Sequence, residues 1–392
     1  MAVAALPYQH AMLFAGGGRR FGYYLGSYAA AVECGRPPDL IVASCGGAIA
    51  AAMIQIEPSI HAQQQWLYSR DLYAVFQRFQ AKQTQRLIQH VGYAAVRSVA
   101  SALLSACHTP NLTRWAMFDV ADEDKTPLFD CFDVNRSQDT ASVKSRVDIA
   151  IVGSQILDQS HETTFQPVLF SPSVRLQQHL KTVPDSILSP DSLIQSTWQA
   201  KRKIASDFQW AKLSLPEAVR MSISDMFYLP PLVVNQRQYL GGVLNLTPFE
   251  LLLACAQRCT LEVKSVYSRG LAAPAIQSVF GFDPNRRLRD YHDLMLLPHA
   301  DELGTQISWF DSSDASRCLP QGIFATRLHL RSLQLMPIFP SYAEYQAIMA
   351  AHWQYGYQRG LEAFSTSLQP PRIRHYSQSS VSAQLYQRLT KG

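Results

Sequence analysis

Ile41-Val42-Ala43-Ser44-Cys45-Gly46-Gly47-Ala48-Ile49 is the stretch whose reading decides the fold. An apolar run of strand type ends at Cys45, and an alanine-rich segment of helical character starts directly after it. That is the layout of a nucleophile elbow, a sharp strand-to-helix turn that lifts one side chain above a sheet. Small residues on both sides let the turn close. The helix that follows aims its free N–H groups at the turn, and its N-terminal field favours a thiolate there. The usual elbow carries serine, so a cysteine changes the chemistry.

Upstream, Met12-Leu13-Phe14-Ala15-Gly16-Gly17-Gly18-Arg19-Arg20 reads as a strand running into a glycine triplet. Glycines let backbone N–H groups turn toward a ligand and build an oxyanion hole or an anion nest. Arg19 or Arg20 adds positive field. Many nucleotide sites have such a triplet, so its specificity comes from the strand, elbow and helix that follow it.

Residues 8–56 therefore alternate strand, glycine loop, helix, strand, elbow, helix, which predicts an α/β fold with a mostly parallel sheet. Residues 57–146 break that alternation and read as a helical insertion or lid, ending in the polar loop Ala121-Asp122-Glu123-Asp124-Lys125. In it Leu72, Val75, Phe76 and Phe79 form an apolar stripe, with Arg78, Lys82 and Arg86 as a basic stripe beside it. That basic stripe is either a solvated face or a docking face for an anionic membrane surface or an acidic acyl carrier. The sheet resumes at Val147–Gly153, and Thr163–Phe165 with Val168–Phe170 form another strand or hairpin arm. Residues 184–213 read as helical, and further helices begin near Pro248 and span Ala343–Phe364. Leu261–Tyr267 is a strand candidate, and the Ser/Gln-rich tail from about residue 365 reads as mobile.

Apolar content of 47% against 17% charged residues excludes a disordered chain. A net charge of +5 permits an anionic lipid, coenzyme A or an acidic carrier protein as a partner. Zinc-finger spacing, RNA motifs and dense Lys/Arg tracts are missing from the sequence, which argues against nucleic acid. The seven cysteines are scattered and odd in number, which fits a reducing compartment without a metal site. Cys255 and Cys259 are spaced as one helix face. Neither a signal peptide nor a membrane-spanning run of about 20 apolar residues is legible. The expected location is cytoplasmic, with membrane contact at most peripheral, and the residues call for no cofactor. His10 precedes the first strand at the end away from the elbow, so it has no place in the chemistry.

Taken together these motifs resemble the start of the patatin-like phospholipase family, over Leu13 to Ile54. Gly16, Gly17, Gly18 and Arg20 match its Gly-Gly-Gly-x-Arg motif, and Tyr23 and Gly26 match the helix after it. Ala43, Cys45 and Gly47 stand in its Gly-x-Ser-x-Gly motif. Arg220-Met221-Ser222-Ile223-Ser224 with Pro230-Pro231 resembles its Arg–Pro-Pro block, and Tyr239-Leu240-Gly241-Gly242-Val243 its Asp-Gly-Gly motif. The resemblance implies a three-layer α/β/α fold over residues 8–300 that includes the insertion, with 301–392 as a C-terminal helical extension. It implies Cys45 as nucleophile and Gly16, Gly17, Gly18, Arg20 and Gly46 as the oxyanion hole. It also places Leu240 where the family's Ser–Asp dyad has its aspartate. Asp225, inside the Arg–Pro-Pro block, is a candidate substitute base, weighed against a turn or capping role.

Three functions follow. The first is acyl transfer through a Cys45 thioester, the donor being a fatty acyl group on coenzyme A or acyl carrier protein. The second is lipid acyl hydrolysis, which needs a base for water that Leu240 does not supply. The third is a non-catalytic lipid- or partner-binding scaffold.

Overall fold

Successive residues of a strand face opposite ways, and in the first strand both faces are apolar. In β1 (Tyr8–Ala15) Met12 and Phe14 pack into one core, and Ala11, Leu13 and Ala15 into a second. The neighbouring strand repeats the pattern, with Ile41 and Ala43 on one side and Leu40 and Val42 on the other. Strands of this kind belong in the middle of a sheet covered by helices on both faces.

The structure, a computed structural model, describes residues 6–16, 18–81, 116–133, 147–159, 162–183, 202–204, 208–241, 245, 247–263, 285, 294, 305–320, 322–329 and 334–365. After β1 comes a 3-10 turn, Gly18–Arg20, then α1 (Gly22–Glu33), β2 (Leu40–Ser44) and α2 (Gly46–Ile56). The insertion contributes α3 (Ile60–Leu67), α4 (Arg70–Gln77) and the pair β3 (Phe79–Ala81) and β4 (Phe118–Val120). The chain continues through β5 (Asp148–Gln159), β6 (Glu162–Phe170), α5 (Val174–Leu180), β7 (Arg202–Ile204) and β8 (Gln209–Trp210). Then follow α6 (Leu215–Ile223), β9 (Leu232–Val234), β10 (Arg237–Leu240), α7 (Phe249–Cys255) and β11 (Ala256–Val263). The last elements are β12 (Gln306–Asp311), α8 (Ala315–Cys318), the hairpin β13 (Ala325–His329) and β14 (Gln334–Ile338), and α9 (Tyr342–Ser365).

The central sheet runs β12-β11-β1-β2-β5-β10-β9, with β6 also on β5, and β7 and β8 on β6. Its five strands from β12 to β5 are parallel, while β6 and β10 are antiparallel to β5, β9 is antiparallel to β10, and β7 and β8 run parallel to β6. One face carries α1, α2, α4, α6 and α9, and the other carries α5 and α7. This is the expected α/β sandwich of helices around a mostly parallel sheet.

Four local readings are corrected. Helix α4 stops at Gln77 and the chain extends into β3, so Arg78 does not head a helical basic stripe. Its guanidinium donates to the carbonyls of Ala121, Thr126 and Pro127, at 2.9, 2.6 and 3.0 Å, and so holds the polar loop. Lys82 and Arg86 lie outside the described residues. Cys255 and Cys259 do not share a helix face: Cys255 closes α7 and Cys259 sits in β11. Burial pushes the Cys255 thiol up to about 12. His10 is inside β1, buried, its ring bonded to the Arg36 carbonyl and the Thr260 hydroxyl at 2.8 Å each. The described part of 184–213 forms β7 and β8 beside β6 instead of a helix.

Helix α9 matches its predicted span to within a residue at each end, and its packing explains two motif positions. A Cβ on Gly26 would sit 2.0 Å from the Trp353 carbonyl oxygen, and one on Gly356 would sit 1.8 Å from that of Tyr23. Helices α1 and α9 thus touch backbone to backbone. Tyr23 and Tyr24 meanwhile send their hydroxyls to the buried Glu262 carboxylate on β11, at 2.6 and 2.5 Å, and Ser312 adds a third at 2.5 Å. Burial first, and Glu262 second, hold both phenols well above their ordinary range.

Gly356→Ala is expected to lower unfolding stability by about 3 kcal/mol or more, because backbone must move to admit the methyl group. Urea denaturation measures it, with exposed positions on the same helix as controls. A pH effect follows from His352 on α9. Burial, and next the charge of Arg20, drive its imidazole down to about 4. The unfolded chain takes up that proton near pH 6.5 and the folded chain only near 4. Folding stability therefore falls as pH drops through this window, by about 3 kcal/mol at most. Melting temperature against pH should flatten between 6.5 and 4.5 in His352→Phe. Burial also holds His10 below its ordinary value, so His10 adds a slope of the same sign that the variant retains.

Candidate functional site

The site is built where β2 ends. Cys45 has φ 50° and ψ −127°, a conformation that L side chains rarely adopt, and α2 begins at the next residue. Such backbone costs on the order of 1–3 kcal/mol and persists where neighbours force it. The neighbours are identifiable. A Cβ on Gly46 would lie 2.4 Å from the Gly18 carbonyl oxygen, and one on Gly47 would lie 2.1 Å from that of Phe14. The Cys45 N–H donates to Ser222 Oγ at 2.9 Å, and that hydroxyl donates onward to the Val152 carbonyl at 2.8 Å. Cys45 itself is half-buried.

The glycine loop lies against this elbow. Gly16 and Gly18 both have positive φ, 85° and 53°. The Gly16 N–H donates to the Ser44 carbonyl at 3.0 Å, so it shapes the loop and is already engaged. Gly17 is outside the described residues. The two arginines turn to the C-terminal segment. Arg19 donates to the Phe324 carbonyl and stacks over the Phe324 ring, and Arg20 Nε donates to the Pro320 carbonyl at 3.0 Å.

The segment around Arg220 is a hub. Its guanidinium, 2% exposed, makes a two-pronged ion pair with Glu123 of the insertion at 2.5 and 2.9 Å. It also donates to Ser224 Oγ and to the Pro230 carbonyl. The Ser224 carbonyl accepts the Gly241 N–H at 2.9 Å. Carbonyls of Phe227 and Tyr228 accept the N–H groups of Met117 and Phe118, at 2.8 and 2.9 Å, which ties the same segment to β4. Arg220 thereby connects the elbow's support, the insertion and the end of β10.

Leu240, at that end, is fully buried and pairs across the strands with Ser154, whose buried hydroxyl makes no hydrogen bond among the described residues. Gly242 lies outside the described residues. Asp225 follows α6, and its carboxylate acts on the phenol of Tyr228. Burial, then Asp225, raise the Tyr228 phenol; Arg19 pulls it back, and Cys45 adds a smaller push upward. Cys45, Asp225, Arg19 and Tyr228 therefore share one electrostatic neighbourhood. Tyr228 was not among the residues singled out from the sequence. Its only local signal is a phenol three positions after Asp225 and just before Pro230-Pro231. A phenol held protonated in this way is a weak acid, a proton source only for a strongly basic departing group.

Residues 12–253 match the family described as patatin-like phospholipase, more than half of the chain. The chain belongs to the patatin-like phospholipase family. Among solved structures it is similar to VipD from Legionella pneumophila, at 12% identity over 92% of this chain and 67% of that one, with a TM-score of 0.32. That likeness is too distant to bear on function. No curated protein matches the chain. Patatin-like proteins are typically lipid acyl hydrolases. Among the described residues there is no cluster fit to hold a metal ion, and no helix is long and apolar enough to cross a membrane.

Ser222→Ala should expose how far the elbow depends on its brace. The Cys45 N–H would lose its acceptor, at a cost of about 1–3 kcal/mol. Urea unfolding is expected to show that loss, and the rate of Cys45 alkylation by iodoacetamide is expected to change with it.

Proposed function

We propose that this chain cleaves acyl groups from lipid-class substrates through a covalent acyl–Cys45 intermediate. The observation that carries the reading is the backbone of Cys45, a strained strand-to-helix turn in a patatin-like chain, braced by Ser222, Gly46 and Gly47. In the reaction Cys45 attacks the acyl carbonyl carbon as the thiolate. The C–S bond forms as the carbonyl electron pair moves onto oxygen, and backbone N–H groups of Gly46 and the glycine loop take up that charge. When the carbonyl re-forms, the bond to the leaving group breaks, and Tyr228 gives that group its proton. Water then adds its oxygen to the acyl carbon, one of its protons restores the Tyr228 phenol, and the C–S bond breaks to return the thiolate.

A second reading is supported by Leu240. Apolar and buried at the family's base position, it gives water no activation. Transfer from an acyl thioester, on coenzyme A or an acyl carrier protein, to a better nucleophile suits such a site. Sulfur-for-sulfur exchange is nearly balanced, and its acyl-enzyme survives longer.

The test is intact-protein mass spectrometry after incubation with palmitoyl-coenzyme A and, separately, with phospholipid vesicles. An acyl adduct on wild type that is absent from Cys45→Ala supports the intermediate. Free fatty acid release without an acceptor favours hydrolysis, and a persistent adduct discharged only by amines or alcohols favours transfer. Leu240→Asp is expected to shorten the adduct's lifetime by about tenfold or more, since general-base assistance is worth roughly 10²–10⁴ in rate. No adduct and no product from either substrate, with the protein folded, would leave a non-catalytic scaffold.

A further inference from the structure

The hairpin of β13 and β14 forms a sheet of its own, with no third strand among the described residues. A lone two-stranded ribbon has two faces and little of its own to cover them with. Directly opposed residues share a face, and so do alternate residues along a strand. Arg327 therefore lies on one face with Met336 and Ile338, and Leu328 lies on the other. All four are exposed, Leu328 at 36%, Met336 at 40% and Ile338 at 45%. Large apolar side chains thus meet solvent on both faces of one ribbon.

The charge around them has one sign. From Ala315 to Ala343 the sequence holds Arg317, Arg327, His329 and Arg331, and neither aspartate nor glutamate. The carboxylates that bound this run are engaged elsewhere. Asp314 accepts from Arg359 at 2.6 Å and from the Tyr355 hydroxyl at 2.5 Å. Glu344 accepts from the Ser341 N–H and hydroxyl at 2.7 Å each. Arg327 has no ion-pair partner among the described residues.

The root of the hairpin is fixed to the segments that flank Cys45. Phe324, just before β13, packs its ring against those of Phe79, Phe118 and Phe339, at 5.7, 6.2 and 5.6 Å between centroids. Arg19 of the glycine loop holds the Phe324 carbonyl and stacks on its ring. On the other side, the Phe118 N–H donates to the Tyr228 carbonyl at 2.9 Å.

We infer that the β13–β14 hairpin docks the protein on an anionic lipid surface, with Leu328, Met336 and Ile338 entering the headgroup layer and Arg327 meeting the phosphates. The inference goes beyond the acyl chemistry proposed above and does not depend on the acyl–Cys45 step. A partner protein, or a second copy of this chain, would cover one face of the ribbon and leave the other in water. A headgroup layer surrounds both faces at once and accepts apolar and cationic side chains together. A run without carboxylates suits the negative potential of such a surface.

Flotation of the full chain with vesicles tests this, in the Cys45→Ala background so that the lipid is not consumed. Vesicles of phosphatidylcholine alone are compared with vesicles of phosphatidylcholine mixed with phosphatidylglycerol. The expected result is binding to the anionic vesicles that added salt weakens. Replacing Leu328 and Met336 together by serine should weaken it about tenfold. Arg327→Gln should weaken it about fivefold on anionic vesicles and leave neutral ones unchanged. All three positions are exposed, and an unchanged melting temperature confirms that each variant keeps its fold. Failure of the wild-type surface to bind anionic vesicles, or binding that salt does not weaken, would overturn the inference without any variant. So would equal binding by all forms. A dimer seen by light scattering and lost in the double variant, with vesicle binding untouched, would assign the hairpin to a second copy of the chain. The two proposals fail separately. An acyl adduct from soluble palmitoyl-coenzyme A on wild type, with no vesicle binding, removes the docking surface and keeps the Cys45 chemistry, and vesicle binding with no adduct does the reverse.

Discussion

The closeness with which α2 lies on β1 governs the rest of this molecule. Gly47 leaves no room for a side chain against the Phe14 carbonyl, and Gly46 leaves none against Gly18. Only because both positions lack a Cβ can a helix start one residue after Cys45 while the strand before it stays in register with β1. The residue between them has to take a backbone conformation it would not choose. That conformation holds its side chain at the strand's carboxyl edge, where ligands bind in open α/β sheets. A bulky residue at either glycine would push the helix away and let Cys45 relax.

The elbow is braced from parts of the chain far from it in sequence. Ser222 reaches it across 177 positions, and Arg220 joins the same segment to Glu123. A buried ion pair is costly to break because the surviving partner is left uncompensated. The insertion therefore stays attached to the site's support and not only to its own core. On the other side, Arg19 and Arg20 bind the glycine loop to Phe324 and Pro320. The loop is thus held between two segments that the first strands do not specify.

This explains which features were legible in the sequence. The elbow, the glycine loop, the helix after Pro248 and the long helix α9 are local, and each shows in a dozen consecutive residues. The sheet's parallel core follows from strands with two apolar faces. Arg78 was misread because its spacing continues a helical pattern, while three carbonyls of the polar loop draw it out of one. Cys255 and Cys259 were misread because the change from α7 to β11 occurs at Ala256 with no glycine or proline to mark it. Arg220 was legible as a motif, but its pairing with Glu123, 97 positions away, was not, and Tyr228 had only its place after Asp225 to mark it. Gly26 was legible as a motif but not as a contact, because its partner Trp353 lies more than 300 positions away.

The seam between α1 and α9 also orders events in time. Helix α1 leaves the ribosome about 300 residues ahead of α9. Until α9 arrives, the glycine face of α1 has nothing against it. Until β11 and Ser312 are made, Tyr23 and Tyr24 have no carboxylate to meet. The turn at Cys45 is therefore finished only once α9 has been made. Until then a nascent chain presents its thiol on an unassembled scaffold, and whatever chemistry Cys45 performs begins after α9 has docked.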